Sequence, residues 1–121
     1  GWDGIIKQLN GDTKNIEGAT YLTPFVATDT SEKVQAFVNT YKEKYNAEPD
    51  QFAADGYDAV YAIKAAIEKA GDDTSNEALV SAMTQISVNG LTGDMTFDEN
   101  GEPNKSAKVV VIKDGQYVAQ N

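Results

Sequence analysis

The chain has 121 residues, with 19 acidic side chains against 10 basic ones, a formal charge of −9 at pH 7. Every basic residue is Lys, and Arg, His and Cys are absent. These absences exclude Ser-His-Asp and Cys-His catalysis, thiolate nucleophiles, zinc sites built on imidazole or thiolate, and bidentate Arg clamps. They also argue against nucleic acid and anionic membrane surfaces as partners, since both are bound by cationic side chains.

Residues 4–10 carry Ile5, Ile6 and Leu9 in a short helical turn, and residues 18–23 form a β-rich run that stops at Pro24. A connector over 24–31 leads to the clearest helix. There Val34, Phe37, Val38, Tyr41 and Tyr45 make one apolar stripe, Asp29, Ser31 and Glu32 supply start signals, and Pro49 limits the end. A second long helix is predicted from about Phe52 to Ala70. Its expected buried face is Ala53, Tyr57, Val60, Ile63, Ile67 and Ala70, with Gly71 as its stop. The spacing Thr74-Ser-Asn-Glu77 is that of a capping box and announces a third helix through Leu79, Ala82, Met83 and Ile86.

The period then changes. Residues 94–98 alternate as a strand, and 107–113 form a β-branched run. Asp114-Gly115 predicts a two-residue hairpin into Tyr117-Val118. Val109 to Ile112 are apolar on both faces, so a strand covered on both sides is expected. The order is α, β, α, α, α, β, β, β. Three helices without intervening strands are an odd inventory for a self-sufficient α/β domain.

Few local motifs suggest chemistry. Asp98 to Glu102 has its glycine at the wrong place for an EF-hand loop and reads as a solvated turn. Asp55 and Asp58 lie i, i+3 on one helix edge and read as a solvated face rather than an acid–base pair. Gly90-Leu-Thr-Gly93 lacks the Lys of a phosphate loop, and Asn104-Lys-Ser106 is only a three-residue sequon match. Among the aromatics, Phe37, Tyr41 and Tyr45 fit a helix core. Trp2 and Phe52 instead stand at helix starts, where α/β folds place ligands.

The string Phe52-Ala-Ala-Asp-Gly-Tyr-Asp-Ala-Val60, after Phe37-Val-x-x-Tyr-x-x-x-Tyr45 and Glu48-Pro49, resembles the branched-chain amino-acid-type solute-binding proteins of ATP-driven importers. Gly90 to Gly93, Thr96 to Gly101 and Val110 to Gly115 resemble the same family's C-terminal end in order, and Gly1-Trp2-Asp3-Gly4 resembles its acidic-Gly-aromatic loop without the acid. The resemblance implies an α/β chain that is a fragment of a two-lobed type I periplasmic-binding fold with three-layer α/β/α lobes, here about three helices plus four strands. Residues 1–24 would belong to the second lobe, 25–105 to the first, and the hairpin 106–121 would return to the second. The chain would be the C-terminal third of a larger protein.

The implied ligand is an amino acid or related small solute, without a cofactor, a metal or bond chemistry. Phe52 matches a position that packs on the ligand side chain, Trp2 would wall the pocket, and Tyr57 is a further candidate that also fits its helix's buried face. The groups that clamp the ligand's carboxylate and ammonium lie upstream of Gly1, so the segment is not expected to bind alone. The implied partners are the importer's membrane subunits and, for the orphaned elements, a second copy in an element-swapped homodimer. The implied location is extracytoplasmic, in the periplasm or lipoprotein-anchored at the cell surface. A sensory domain on the same scaffold is the alternative, and a small oxygen-ligand enzyme using the Asp-rich loops is a third reading.

Overall fold

In the computed structural model, which describes residues 2–120, the elements are α1 (Ile5–Gln8), β1 (Thr20–Thr23), α2 (Glu32–Tyr45), α3 (Gln51–Ala70), α4 (Asn76–Met83), β2 (Ser87–Gly90), β3 (Gly93–Thr96), β4 (Lys108–Lys113) and β5 (Gln116–Gln120). Gly1, the first member of the opening motif, lies outside the described residues. The chain divides into two compact units: residues up to Ala54 with those from Ala107 onward, and Asp55–Ser106.

The first unit is built on an antiparallel sheet of order β1-β4-β5. Tyr21 lies opposite Val110, and Ile112 opposite Tyr117. The Asp-Gly signal is met by a two-residue turn: Asp114 and Gly115 have φ of 51° and 74°, the left-handed pair that suits strand twist. β4 is covered on one face only, contrary to the expectation from its composition. Val110 and Ile112 are fully buried, whereas Val109 is 40% exposed. Alternation along the strand decides which Val is covered: Val110 and Ile112 take the buried face, Val109 and Val111 the other.

α2 turns Val34 and Val38 into the core. Phe37 meets buried Phe25 edge-to-face at 6.0 Å, and Gln35 Nε2 donates to the carbonyls of Ala27 and Asp29. The aromatic stripe predicted as core runs outward along the helix, and Tyr45 is exposed at its end, its ring 4.6 Å from that of Tyr41 and tilted 51° to it. Thr23, also buried, shares its hydroxyl with the Phe25 carbonyl and Gln51 Oε1, so β1, the connector and the start of α3 cohere. Residues up to Ala54 accordingly share one compact unit with the sheet.

The second unit packs α3 and α4 on the antiparallel ribbon β2-β3. Its core is Ala62, Ala66, Ala82, Ile86, Val88 and Met95. The buried face of α3 is shifted from the predicted one, of which Ala53 and Ala70 stay half-buried. Ala54, Asp58, Ala62 and Ala66 are buried, while Tyr57, Val60, Ile63 and Ile67 are exposed. α3 is apolar nearly all round, so hydrophobicity does not choose a face, and the small side chains allow the closer packing.

Two further expectations shift. α4 is capped by Ser75, whose Oγ accepts the Ala78 N–H, rather than by Thr74. The helix ends at Met83, so Ile86 leads into β2, a fifth strand that the sequence did not announce. Among the described residues, no helix is long and apolar enough to cross a membrane.

Candidate functional site

The opening loop is the best-organised polar feature of the first unit. Gly4 takes φ of 90° to start α1, a left-handed conformation that suits glycine. Tyr117 Oη accepts the N–H groups of Gly4 (3.0 Å) and Ile6 (3.2 Å) and donates to the Trp2 carbonyl (3.1 Å). From β1, Tyr21 Oη donates to Asp3 Oδ1 at 3.1 Å. The two tyrosine rings meet edge-to-face at 6.0 Å. Burial, then the neighbouring Asp3 charge, pushes the Tyr21 phenol above its ordinary value, so it stays a donor at any physiological pH.

Beside this loop lies a cavity of about 660 Å³, entirely within the first unit. Its walls include Asp3, Lys7, Tyr21, Phe25, Gln51 and Tyr117. Its acidic groups already have structural work. Glu48 pairs with Lys42 at 2.9 Å, and Asp50 Oδ1 accepts the Ala53 N–H at the start of α3.

None of the three sequence candidates lines that cavity. Trp2 is 48% exposed on the opening loop, and Phe52 is 67% exposed in the first turn of α3. Tyr57 belongs to the other unit, where its hydroxyl donates to Tyr61 Oη at 3.2 Å; that bond, with some burial, raises its phenol above the ordinary value. Sequence reasoning missed Tyr21 and Tyr117. Tyr117 meets the loop across 111 to 115 residues of chain, and no local spacing announces such a contact.

The acidic motifs are structural. Asp58, expected on a solvated face, is only 2% exposed; its carboxylate accepts from the Leu91 N–H and from the N–H and hydroxyl of Thr92. Asp55 pairs with Lys105 at 3.1 Å. Asp98 Oδ1 accepts the N–H groups of Asn100 and Glu102 within its own turn, as a solvated turn does.

The family of periplasmic binding proteins matches residues 1–116, and the chain belongs to that family. Its structure is similar to a leucine binding protein from Thermotoga maritima, with 33% identity and TM-score 0.76 over 94% of this chain and 32% of that one. It is also similar to an ABC transporter substrate-binding protein from Desulfitobacterium hafniense in complex with Leu (26% identity, TM-score 0.75, 90% of this chain and 33% of that one). A solute binding protein of an ABC transporter from R. palustris, in complex with benzoate, shares the fold at 23% identity and TM-score 0.79, over 97% of this chain and 32% of that one. The chain spans about a third of the length of each. Its mixed α/β elements are those of part of the periplasmic binding protein fold.

Proposed function

We propose that this chain is part of the extracytoplasmic solute-binding component of an ABC importer for branched-chain amino acids or related small solutes. The observation that carries this reading is the similarity to the leucine binding protein over 94% of the chain at 33% identity. The protein binds without bond chemistry, its lobes closing on the solute, which stabilises the closed form by its differential affinity. It hands the solute to the importer's membrane subunits and works in the periplasm or as a lipoprotein at the cell surface. Trp2 and Phe52 contribute apolar contact to the solute, with Tyr57 at the margin. Their exposure supports this role, because an aromatic surface in water gains by covering a ligand.

The lobe assignment belongs to the same reading. Residues 1–24 and 106–121 share one lobe, supported by the pairing of β4 with β1. Residues 25–105 make up the first-lobe segment, a reading supported for its later part by the compact unit Asp55–Ser106. Taken alone, the chain exposes Val60, Ile63 and Ile67 along α3, and two copies would cover such stripes by exchanging elements. Light scattering reads this directly, as dimer mass or monomer mass.

The test is calorimetric titration of the full-length protein with L-leucine. Binding is expected, and Phe52→Ala weakens it by roughly 1–3 kcal/mol through lost apolar burial. Absence of binding to leucine, isoleucine and valine overturns the solute class, and an unchanged dissociation constant in Phe52→Ala removes Phe52 from the site.

A further inference from the structure

We propose that Tyr117 is a positioning residue for the solute site: its hydroxyl fixes the backbone that carries Trp2, so the C-terminal hairpin sets the shape of the opening loop. The inference rests on the reading of Trp2 as a solute contact.

A phenol has one proton to donate and two lone pairs to accept with. All three are used here on the segment Trp2 to Ile6: the proton on the Trp2 carbonyl, the lone pairs on the Gly4 and Ile6 amides. A helix start leaves its first N–H groups without intrahelical partners, and α1 has no side-chain cap of its own. Tyr117 therefore does, from the far end of the chain, what a local cap would do.

The hydroxyl is itself well held. Tyr117 lies opposite fully buried Ile112 in the β4-β5 pair, and its carbonyl accepts the Thr28 hydroxyl at 2.7 Å. Tyr21 sits in the same way opposite Val110 on the other flank of β4. Directly opposed residues share a sheet face, so both phenols rise on the side of Val110 and Ile112. They grip consecutive residues: Tyr117 the backbone of Trp2 and Gly4, Tyr21 the side chain of Asp3. The Tyr21 ring, edge-on to Tyr117, remains in Tyr117→Phe, so that variant removes the hydroxyl and little else.

Trp2 is the single tryptophan, so its fluorescence reports on this loop alone. In Tyr117→Phe the acrylamide quenching constant of Trp2 rises up to about twofold, the change from 48% exposure to a released loop, with little change in melting temperature. The Gly4 and Ile6 amides are expected to be protected from hydrogen exchange in the parent chain and to lose that protection in Tyr117→Phe, while those of Val110 and Ile112 keep it. A purely structural role would instead lower the melting temperature and loosen all four together. If Tyr117→Phe does not fold, exchange in the parent chain decides, because unprotected Gly4 and Ile6 amides overturn the anchor.

In the full-length protein, Tyr117→Phe raises the dissociation constant for L-leucine about three- to tenfold, the scale of hydrogen bonds lost from a binding surface. Two failures read differently. Unchanged quenching and exchange in Tyr117→Phe overturn the positioning role whatever Trp2 does. Altered quenching with unchanged leucine affinity in both Tyr117→Phe and Trp2→Ala overturns the reading of Trp2 as a solute contact.

Discussion

Asp58 Oδ2 accepts both the backbone N–H of Thr92, at 2.9 Å, and its hydroxyl, at 2.7 Å, with both residues shielded from solvent. Oδ1 takes the Leu91 N–H at 2.8 Å. Leu91 and Thr92 are the two-residue turn of the β2-β3 ribbon, a place that normally faces water. A turn tucked inward must have its N–H groups satisfied from within, and one helix carboxylate does this.

Asp58→Ala strands three buried donors at once. The expected loss is about 3 kcal/mol of stability, read as a lower urea midpoint with an unchanged slope. Asp58→Asn keeps the shape but turns an amide donor toward other donors, so it is expected to fall between the parent chain and Asp58→Ala. A midpoint unchanged in Asp58→Ala would mean that water replaces the carboxylate.

Gly90 is tied to the same carboxylate. A Cβ there would lie 2.5 Å from Asp58 Oδ2 and 2.9 Å from Met95 Cε. The methionine tip moves readily, but the carboxylate is held by its three bonds. Gly90→Ala is therefore expected to lose about 2 kcal/mol in the parent chain and less than half of that beside Asp58→Ala. A double-mutant cycle by urea unfolding measures the coupling; additivity would place the clash on Met95 instead.

These contacts show where the sequence was readable. Asp114-Gly115, Gly71 and the start of α4 were legible to within a residue because local backbone chemistry decides them. α3 was legible as a helix but not as a face: size rather than polarity chose its buried side, and Asp58, whose partners lie 33 and 34 residues away, looked like any surface acid. β2 has one buried apolar residue, Val88, and exists because β3 pairs with it. Trp2 and Phe52, proposed as solute contacts, were visible as aromatics at helix starts. The tyrosines that hold the loop were not, since β1 and β5 meet it only in the fold.

The exposed stripe of α3 predicts solution behaviour. Ile63→Glu places a charge between Val60 and Ile67, all three exposed. In this chain, dimer mass by light scattering is expected to shift to monomer mass in Ile63→Glu, with the helical circular dichroism retained. Equal masses in both proteins would show that the stripe does not drive association.

The ion pair between Asp29 and Lys108 sets the response to acid. Lys108 Nζ donates to Asp29 Oδ2, and the Ser31 N–H donates to Oδ1 at 2.8 Å. Burial opposes the charge, since Asp29 keeps only 17% of its side-chain exposure, but the Lys108 and Ser31 bonds outweigh it. The carboxyl is lowered from an ordinary 3.8 to about 2. The folded state thus holds the proton more weakly than the unfolded state does. The pair's contribution is fully present above pH 4 and is lost as the pH falls toward 2. Discounted for partial solvent screening, it amounts to about 1 kcal/mol. Lys108→Met removes the partner and one of the bonds that favour the charge. Its melting temperature is expected to sit below the parent's at pH 6 and to converge on it near pH 2. A constant gap from pH 6 to pH 2 would assign the loss to packing of the Lys108 stem rather than to its charge.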